Sequence, residues 1–270
     1  MRAIQPIPGI KDPAFKAAAA LAKAAERAAS GRYLVEGTGL VQQALRSSSK
    51  VHAVYALPGE APALIPLCRE AGADLHILGD GLIAKLIGTG YETAVTALAI
   101  VGRNLVDLED LPLLPTTILL AGERIQDPRN VGVLVRTAEA AGCAALLLSR
   151  DCAEAHSRAA VRSTTGSILR LPLCLPDDFA AGLQNLRSRG ARIVATSAKA
   201  PQSLYECDLS SGPVAFVVGN ETEGISDTVR ECADEFVSLP MAAHGASSLN
   251  VTVAAGVLLY EAVRQRQTSG

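Results

Sequence analysis

Three short segments in the second half of the chain combine residue types suited to ligand binding or catalysis. They read GERIQDPRNVGVLVRTAEAAG (122–142), VVGNETEGIS (217–226) and LPMAAHGASSLNVTVAAG (239–256). Each lies at the end of a short apolar run that is typical of a buried strand. Because open α/β sheets bind ligands at the carboxyl ends of their strands, we predict that the three segments form loops at one site.

The first segment places an amide and a guanidinium on a predicted helix. Asn130 lies near the start of this helix, and Arg136 stands among apolar neighbours on it. Both also fit structural roles, Asn130 as a helix cap and Arg136 as a side chain extended into solvent. The preceding strand, 116–121, is not followed by G-x-G-x-x-G, and this argues against a nucleotide-binding dehydrogenase.

The second segment carries a carboxylate between two glycines. Gly219 and Gly224 allow the backbone to approach a ligand closely. Glu221, between them, could orient a cation or accept a hydroxyl proton. The same pattern fits an ordinary strand-to-helix turn.

The third segment mixes apolar side chains with hydroxyl and amide groups. Leu239, Met241 and Leu249 could form a slot for a flat ring. Ser248 and Asn250 fall where a helix N-terminus presents free N–H groups. The segment therefore predicts a binding loop that leads into a helix.

Charge is distributed unevenly along the chain. The formal net charge is −2, yet residues 1–50 carry eight Lys and Arg residues against three acids. A local basic patch suits phosphate binding, although solvated helix faces have the same composition. Aromatic residues make up only 3% of the chain, so base stacking is not expected to be the main means of binding RNA.

Several site classes are disfavoured by the remaining composition. The six cysteines are scattered without a C-x-x-C pair, which favours a reducing compartment over a zinc site or a disulfide framework. The start has no apolar leader, and the apolar run 251–260 is too short to span a membrane. His244 has no recognisable triad partner and is interpreted as a loop residue. We expect a cytoplasmic protein with no metal and no membrane contact.

Strands and helices alternate through most of the chain, and this predicts an α/β fold with parallel sheets. An Ala-rich helix is predicted over 14–29. The predicted strands are 51–57, 74–78, 94–101, 116–121, 144–149, 192–197, 213–219 and 235–240.

Together and in this order, the three segments resemble the motifs of the SpoU/TrmH family of RNA ribose 2′-O-methyltransferases, within the SPOUT class. The matching positions are Asn130, Gly132, Arg136 and Glu139; Gly219, Asn220, Glu221 and Gly224; and the Ser-Leu-Asn at 248–250. Residues 31–101 are also similar to the small N-terminal RNA-binding domain of this family, which has the fold of certain ribosomal proteins.

The resemblance implies an architecture and a set of partners. Residues 1–30 would form a basic helical extension, 31–103 a small α/β RNA-binding domain, 104–115 a linker, and 116–270 a Rossmann-like SPOUT domain with a deep trefoil knot. S-adenosylmethionine would be the methyl donor. The chain would form a homodimer through the catalytic domain, with the site at the interface.

The resemblance also implies a role for each site residue. The adenosyl pocket would be lined by Thr196, Gly219, Leu239, Met241 and Leu249. Glu221 would lie next to the reacting centre, and the target ribose and its phosphate would be surrounded by Asn130, Arg136, Ser248 and Asn250. Since a guanidinium is hardly ever neutral in proteins, our hypothesis is that Arg136 binds the adjacent phosphate bidentately rather than acting as the base.

One departure from the family pattern concerns the third motif. Six residues separate Met241 from Ser248, where five are expected, and Ser247 replaces a common acidic residue. We expect a reshaped pocket rim around 242–246.

The RNA-binding domain favours rRNA over tRNA as substrate, because tRNA-specific relatives generally lack it. A tRNA ribose methyltransferase, an antibiotic-resistance rRNA methyltransferase and a non-catalytic RNA-binding subunit stay open as alternatives.

Overall fold

The structure is a computed structural model, and it describes residues 4–79, 81–88, 94–220, 222–242 and 248–268. The chain divides into two compact units. Unit 1 comprises residues 1–104 and 154–170, and unit 2 comprises residues 105–153 and 171–270.

The described residues form twelve strands and ten α-helices. The strands are β1 (Ile4–Ile7), β2 (Arg32–Glu36), β3 (Val51–Ala56), β4 (Asp74–Leu78), β5 (Ala97–Gly102), β6 (Ile118–Gly122), β7 (Ala145–Leu148), β8 (Leu173–Cys174), β9 (Arg192–Thr196), β10 (Gln202–Ser203), β11 (Val214–Val218) and β12 (Glu235–Ser238). The helices are α1 (Pro13–Ala20), α2 (Ala24–Ser30), α3 (Thr38–Arg46), α4 (Ala61–Ala71), α5 (Leu82–Ile87), α6 (Pro128–Ala140), α7 (Arg158–Thr164), α8 (Phe179–Ser188), α9 (Asp227–Cys232) and α10 (Val251–Thr268).

Unit 1 is built on a mixed five-stranded sheet in the order β1-β4-β3-β5-β2. Strands β1, β4 and β3 are parallel, and β5 runs antiparallel to both of its neighbours. The edge strand β1 was not predicted, because only one of its four side chains, Ile7, is buried and the periodic signal is correspondingly weak.

The Ala-rich segment predicted as one helix over 14–29 forms two helices, α1 and α2. The carbonyl groups of Leu21 and Ala22, at the break, accept hydrogen bonds of 2.8 and 2.9 Å from Nη1 of Arg27. Arg27 is itself buried and forms an ion pair with Glu154. Arg27 therefore stabilises this break in the fold and is not part of an exposed basic surface.

Unit 2 is built on a fully parallel seven-stranded sheet in the order β10-β12-β9-β11-β6-β7-β8. The central strands β6, β7 and β11 are buried at every position. Such continuous apolar strands occur where helices cover both faces of a sheet. The predicted α/β class is confirmed, and so is a parallel sheet in unit 2, whereas the sheet of unit 1 is mixed.

Residues 104–115 were predicted to be a linker, but the structure packs most of them into unit 2. Leu108 and Leu111 are buried in its hydrophobic core. The guanidinium of Arg189 donates hydrogen bonds of 2.6 and 2.5 Å to their two carbonyl groups. Buried leucines alternate here with charges and prolines, a composition that also suits an exposed linker.

Residues 154–170 lie between segments of unit 2 in sequence but group with unit 1. Glu154 accepts hydrogen bonds from both Arg27 and Arg103. The ring of His156 packs on Tyr33 with a centroid separation of 4.8 Å.

None of the described helices is both long and apolar enough to cross a membrane.

Candidate active site

A pocket of about 410 Å³ lies at the carboxyl ends of three adjacent strands, β12, β9 and β11. This is the position at which parallel α/β sheets bind ligands, and the volume lies within the range of small-molecule sites. The predicted cofactor-binding residues all line it, together with one predicted ribose-side residue: Thr196, Gly219, Leu239, Met241, Leu249 and Ser248. The pocket thus joins the second and third motifs.

The wall after β11 is a tight turn that depends on two glycines. A Cβ atom on Gly219 would lie 2.4 Å from the carbonyl carbon of Gly224. Gly224 has a φ of +72°, in the left-handed region that favours glycine. Both glycines are needed for the backbone to fold back on itself beside the pocket.

Asn220 organises this turn. Its backbone N–H and carbonyl both pair with Gly224 at 3.0 Å. Its side-chain Oδ1 accepts from the backbone N–H of Thr222 at 2.8 Å and of Glu223 at 3.1 Å. Its Nδ2 donates to the carbonyl of Arg124 at 3.0 Å and so joins the second motif to the first. Asn220 was recognised as a motif position but not predicted as a site residue.

Glu123 forms a second connection between these loops. This buried carboxylate accepts hydrogen bonds from the backbone N–H and the hydroxyl of Ser226, at 2.8 and 2.6 Å. Ser226 in turn caps α9 through the N–H of Val229. Nothing in the sequence pattern marked Glu123, because its partner lies 103 positions away.

The apolar part of the pocket is incompletely covered by protein. Met241 and Leu249 keep 37% and 40% of their surface exposed, which is high for side chains of this kind in a pocket. Thr196 ends β9, and its hydroxyl donates to the carbonyl of Val217 at 3.3 Å. An adenine ring placed in this slot would bury the two exposed side chains, so the residues fit the predicted ligand.

Three charged side chains that the sequence motifs did not mark also line the pocket. Lys199 and Arg230 contribute positive charge, and Glu223 contributes negative charge. The guanidinium carbon of Arg230 lies 5.7 Å from the ring centroid of Phe236. Charges of both signs suit a ligand that is itself zwitterionic, such as an amino acid moiety.

Two predicted ribose-side residues meet at the N-termini of α6 and α10. The Nδ2 of Asn250 donates to the Oδ1 of Asn130 at 3.4 Å. The Oδ1 of Asn250 accepts from the backbone N–H of Thr252 at 2.9 Å and from its hydroxyl at 2.6 Å, and so caps α10. The cap role and the site role therefore fall on different atoms of one amide.

Arg136 lies apart from the pocket lining. It is exposed on α6, and within the described part of the chain it forms no hydrogen bond or ion pair. A single chain therefore does not bring Arg136 together with the predicted cofactor residues. Glu221 and His244 lie outside the described residues, as does the segment 243–247 that contains most of the lengthened loop.

A thiol from the loop after β7 packs against the first segment and has no nucleophilic character. Cys152 accepts a hydrogen bond from the backbone N–H of Ile125 at 3.3 Å, and burial raises the pKa of this thiol above its ordinary value. It is therefore a structural, protonated group. Across the described segments, no cluster of three or more His, Cys, Asp or Glu residues could hold a metal ion.

Residues 117–260 match the sequence profile of the SpoU rRNA Methylase family. The chain belongs to this family. The profile spans all three motifs and the whole pocket, so the resemblance inferred from the motifs is confirmed.

Relatives within the SpoU family cover most of the chain. A 23S rRNA (guanosine-2′-O-)-methyltransferase RlmB from Yersinia pestis is 34% identical over 75% of this chain and 83% of its own length. The RlmB protein of Shewanella oneidensis is 31% identical over 87% of this chain and 98% of its own length.

A solved structure shows the same fold. The SpoU methyltransferase AviRb from Streptomyces viridochromogenes, in complex with the cofactor AdoMet, matches with a TM-score of 0.84 and 26% identity. The match covers 95% of this chain and 99% of that one. A SpoU protein with both units is therefore known to bind AdoMet.

Proposed function

We propose that this protein transfers the methyl group of S-adenosylmethionine to a ribose 2′-hydroxyl in RNA, most specifically in rRNA. The observation that carries the proposal is the pocket at the ends of β9, β11 and β12, which contains every residue assigned to the cofactor. Membership of the SpoU family and the names of the RlmB relatives support the reaction and the RNA class.

S-adenosylmethionine, when bound, supplies a methyl group already activated on a sulfonium. The protein therefore contributes position more than covalent chemistry. Leu239, Met241 and Leu249 would enclose the adenine, and the backbone at Gly219 would approach the ribose of the cofactor. Exclusion of water by these apolar side chains would strengthen every polar contact in the pocket.

Asn130, Asn250 and Ser248 would position the target ribose. The Asn130–Asn250 contact holds the two amides at the ends of α6 and α10, which are rigid supports. Ser248 lines the pocket and has a hydroxyl that can donate and accept. Glu221 retains its proposed place beside the reacting centre.

Arg136 would bind the phosphate next to the target ribose. A guanidinium forms paired hydrogen bonds to phosphate and stabilises negative charge that develops on the hydroxyl oxygen. Its exposure and its freedom from described protein partners leave it available for RNA. Because it lies apart from the pocket of its own chain, a homodimer is the arrangement that completes the site.

The homodimer proposal is supported by the exposed face of α10. Val253 and Tyr260 are 50% and 52% exposed and lie seven positions apart, on one side of the helix. We expect light scattering to give twice the chain mass and the Val253→Asp/Tyr260→Asp variant to be monomeric and inactive. A fully active monomer would contradict the proposal.

The finer architecture is part of the same proposal. The C-terminal part of unit 2 would contain the deep trefoil knot of the SPOUT class, one of the few exceptions to unknotted folding. Residues 31–103 would form the RNA-binding domain, and exposed basic residues of the first fifty would contact phosphates. An rRNA substrate would also account for a cytoplasmic location.

Two measurements test the proposed function. Isothermal titration should detect S-adenosylmethionine binding, and no binding at millimolar ligand would favour a non-catalytic RNA-binding subunit. Mapping 2′-O-methyl marks in cells with and without the gene should reveal one lost rRNA mark. Loss of a tRNA mark alone would overturn the rRNA assignment, and a mark that confers drug tolerance would identify a resistance enzyme.

A further inference from the structure

Arg124 lies between β6 and α6 in a backbone conformation that arginine rarely adopts. Its φ is +55°, and Thr165 is the one other non-glycine residue with a positive φ among the described segments. For a residue with a Cβ atom, the left-handed conformation costs roughly 1–2 kcal/mol. A residue held there requires support from its surroundings.

The backbone of Arg124 is held in part by Ser149 and Gln126, whereas both side-chain hydrogen bonds of Arg124 lead to the turn that walls the pocket. Nη1 of Arg124 forms an ion pair with Oε2 of Glu223 at 2.6 Å. Nη2 donates to the carbonyl of Gly224 at 3.3 Å, and the Arg124 carbonyl accepts from Nδ2 of Asn220 at 3.0 Å. Glu223, Gly224 and Asn220 each line the pocket.

These contacts are poorly explained by stability alone. The side chains of the ion pair are 27% and 65% exposed, and such pairs contribute at most about 1 kcal/mol. The Nε atom of Arg124 is buried and has no hydrogen-bond partner within the described residues, which is a further cost. Strain and an unsatisfied donor persist most often at functional sites.

We infer that Arg124 is a positioning residue, which holds residues 219, 220 and 222–225 of the turn in the geometry that receives S-adenosylmethionine. It acts through Glu223 and the Gly224 carbonyl and does not touch the reacting atoms. By pairing with the Glu223 carboxylate, it also fixes the position of that charged side chain in the pocket wall. The inference rests on the proposed function, since it concerns the same pocket.

The Arg124→Asn variant removes the side-chain contacts of Arg124 and keeps its backbone contacts. Asparagine tolerates a positive φ, and the carbonyl that Asn220 uses is retained. Glu223→Gln removes the charge from the other side. We expect each variant to raise the Kd and the KM for S-adenosylmethionine about three- to five-fold, the range that an exposed ion pair allows. The kcat and the melting temperature should change little.

The exchanged pair, Arg124→Glu with Glu223→Arg, tests the interaction itself and should recover most of the lost affinity. The control is Arg150→Asn, which breaks another exposed ion pair of unit 2, with Asp177, outside this pocket. It should leave cofactor affinity unchanged. The difference between wild type and Arg124→Asn should also shrink in 1 M salt, because salt screens exposed charges.

Wild-type affinity in Arg124→Asn would overturn the inference. So would an exchanged pair that is no better than the single variants, or a fall in melting temperature that accounts for the lost affinity. Failure of the wild-type protein to bind S-adenosylmethionine would overturn the proposed function instead, and the inference with it.

Discussion

The side-chain amide of Asn250 donates to the side-chain oxygen of Asn130 across 3.4 Å, although 120 positions separate the two residues. The same Asn250 caps α10 with its other side-chain atom. One residue therefore links the N-terminus of the last helix to the N-terminus of the first helix of the family domain. Because Asn250 has both roles, substitutions at this position can test the contact with Asn130 separately from the helix cap.

Replacing Asn250 should separate stability from activity. Asn250→Ala loses the cap, at a cost of about 1 kcal/mol in the free energy of unfolding, and also loses activity. Asn250→Asp keeps an oxygen for the cap but has no donor for Asn130. It should unfold like wild type in urea while kcat/KM falls about tenfold, the value of one hydrogen bond. Equal activity in Asn250→Asp and wild type would show that the contact with Asn130 is not used.

Gly219→Ala should abolish tight cofactor binding. Its added Cβ would lie 2.4 Å from backbone atoms of Gly224, and neither segment can move without opening the turn. Overpacking of this kind costs about 1–3 kcal/mol, so the Kd for S-adenosylmethionine should rise roughly ten- to a hundredfold.

Gly39→Ala is the matched control for Gly219→Ala. Gly39 lies in α3, where an added Cβ would meet nothing within 4 Å. This variant should bind the cofactor normally and melt at the same or a slightly higher temperature. A normal titration curve for Gly219→Ala would show that the turn tolerates a side chain.

Arg136→Lys should test how the arginine acts. Lysine keeps the positive charge but lacks the fork that pairs with two phosphate oxygens. We expect kcat/KM for RNA to fall about tenfold or more, with S-adenosylmethionine affinity and the shape of the pH–rate profile unchanged. Near-full activity with the same profile would contradict bidentate phosphate binding, and a shifted profile would point to proton transfer at this position.

His156 should make the stability of the protein fall below neutral pH. Burial, with Arg103 and Arg27 nearby, lowers the pKa of His156 from 6.5 to about 3. Below pH 6.5 the His156 ring therefore binds a proton in the unfolded chain but stays neutral in the folded chain. Stability is retained above pH 6.5 and is lost at up to about 1.4 kcal/mol per pH unit as the pH falls towards 3.

His156→Phe keeps the ring that packs on Tyr33 and removes the titration. Urea unfolding at pH 7.5 and 5.5 should show a loss for wild type that exceeds the loss for the variant by roughly 1 kcal/mol. His52→Gln serves for comparison, since the pKa of the half-buried His52 is lowered less, by burial and by Arg32 and Lys50. If His156→Phe loses as much stability as wild type, then His156 is not the group responsible.

Most of the strands could be predicted from the sequence, because buried parallel strands consist of short continuous runs of apolar residues. The strands predicted at 74–78 and 192–197 match β4 and β9 to within one residue. Four strands were missed. These are β2, the exposed edge strand β1, and the strands β8 and β10, which at two residues each are too short to carry a periodic signal. The Ala-rich segment has uniform helix propensity, which contains no information about a break that depends on Arg27.

The residues assigned to the cofactor were taken from the resemblance to the SpoU/TrmH family, and they line one pocket because the strand ends of a parallel sheet meet at one edge. The residues that support the walls of this pocket could not be predicted. Glu123 and Arg124 look like ordinary charges in a loop, and their partners Ser226 and Glu223 lie about 100 positions away. Such pairing depends on how the loops fold back, and no local pattern records it.

By itself, the sequence determined the α/β class, the family and the residue types that line the pocket, since these follow from periodicity and from short motifs. The tertiary structure decided which of those residues meet. It brings Asn130 to Asn250, leaves Arg136 outside the pocket lining, and groups residues 154–170 with unit 1. The reason is physical: hydrogen bonds and ion pairs between distant segments form only after the strands have aligned the loops that carry them.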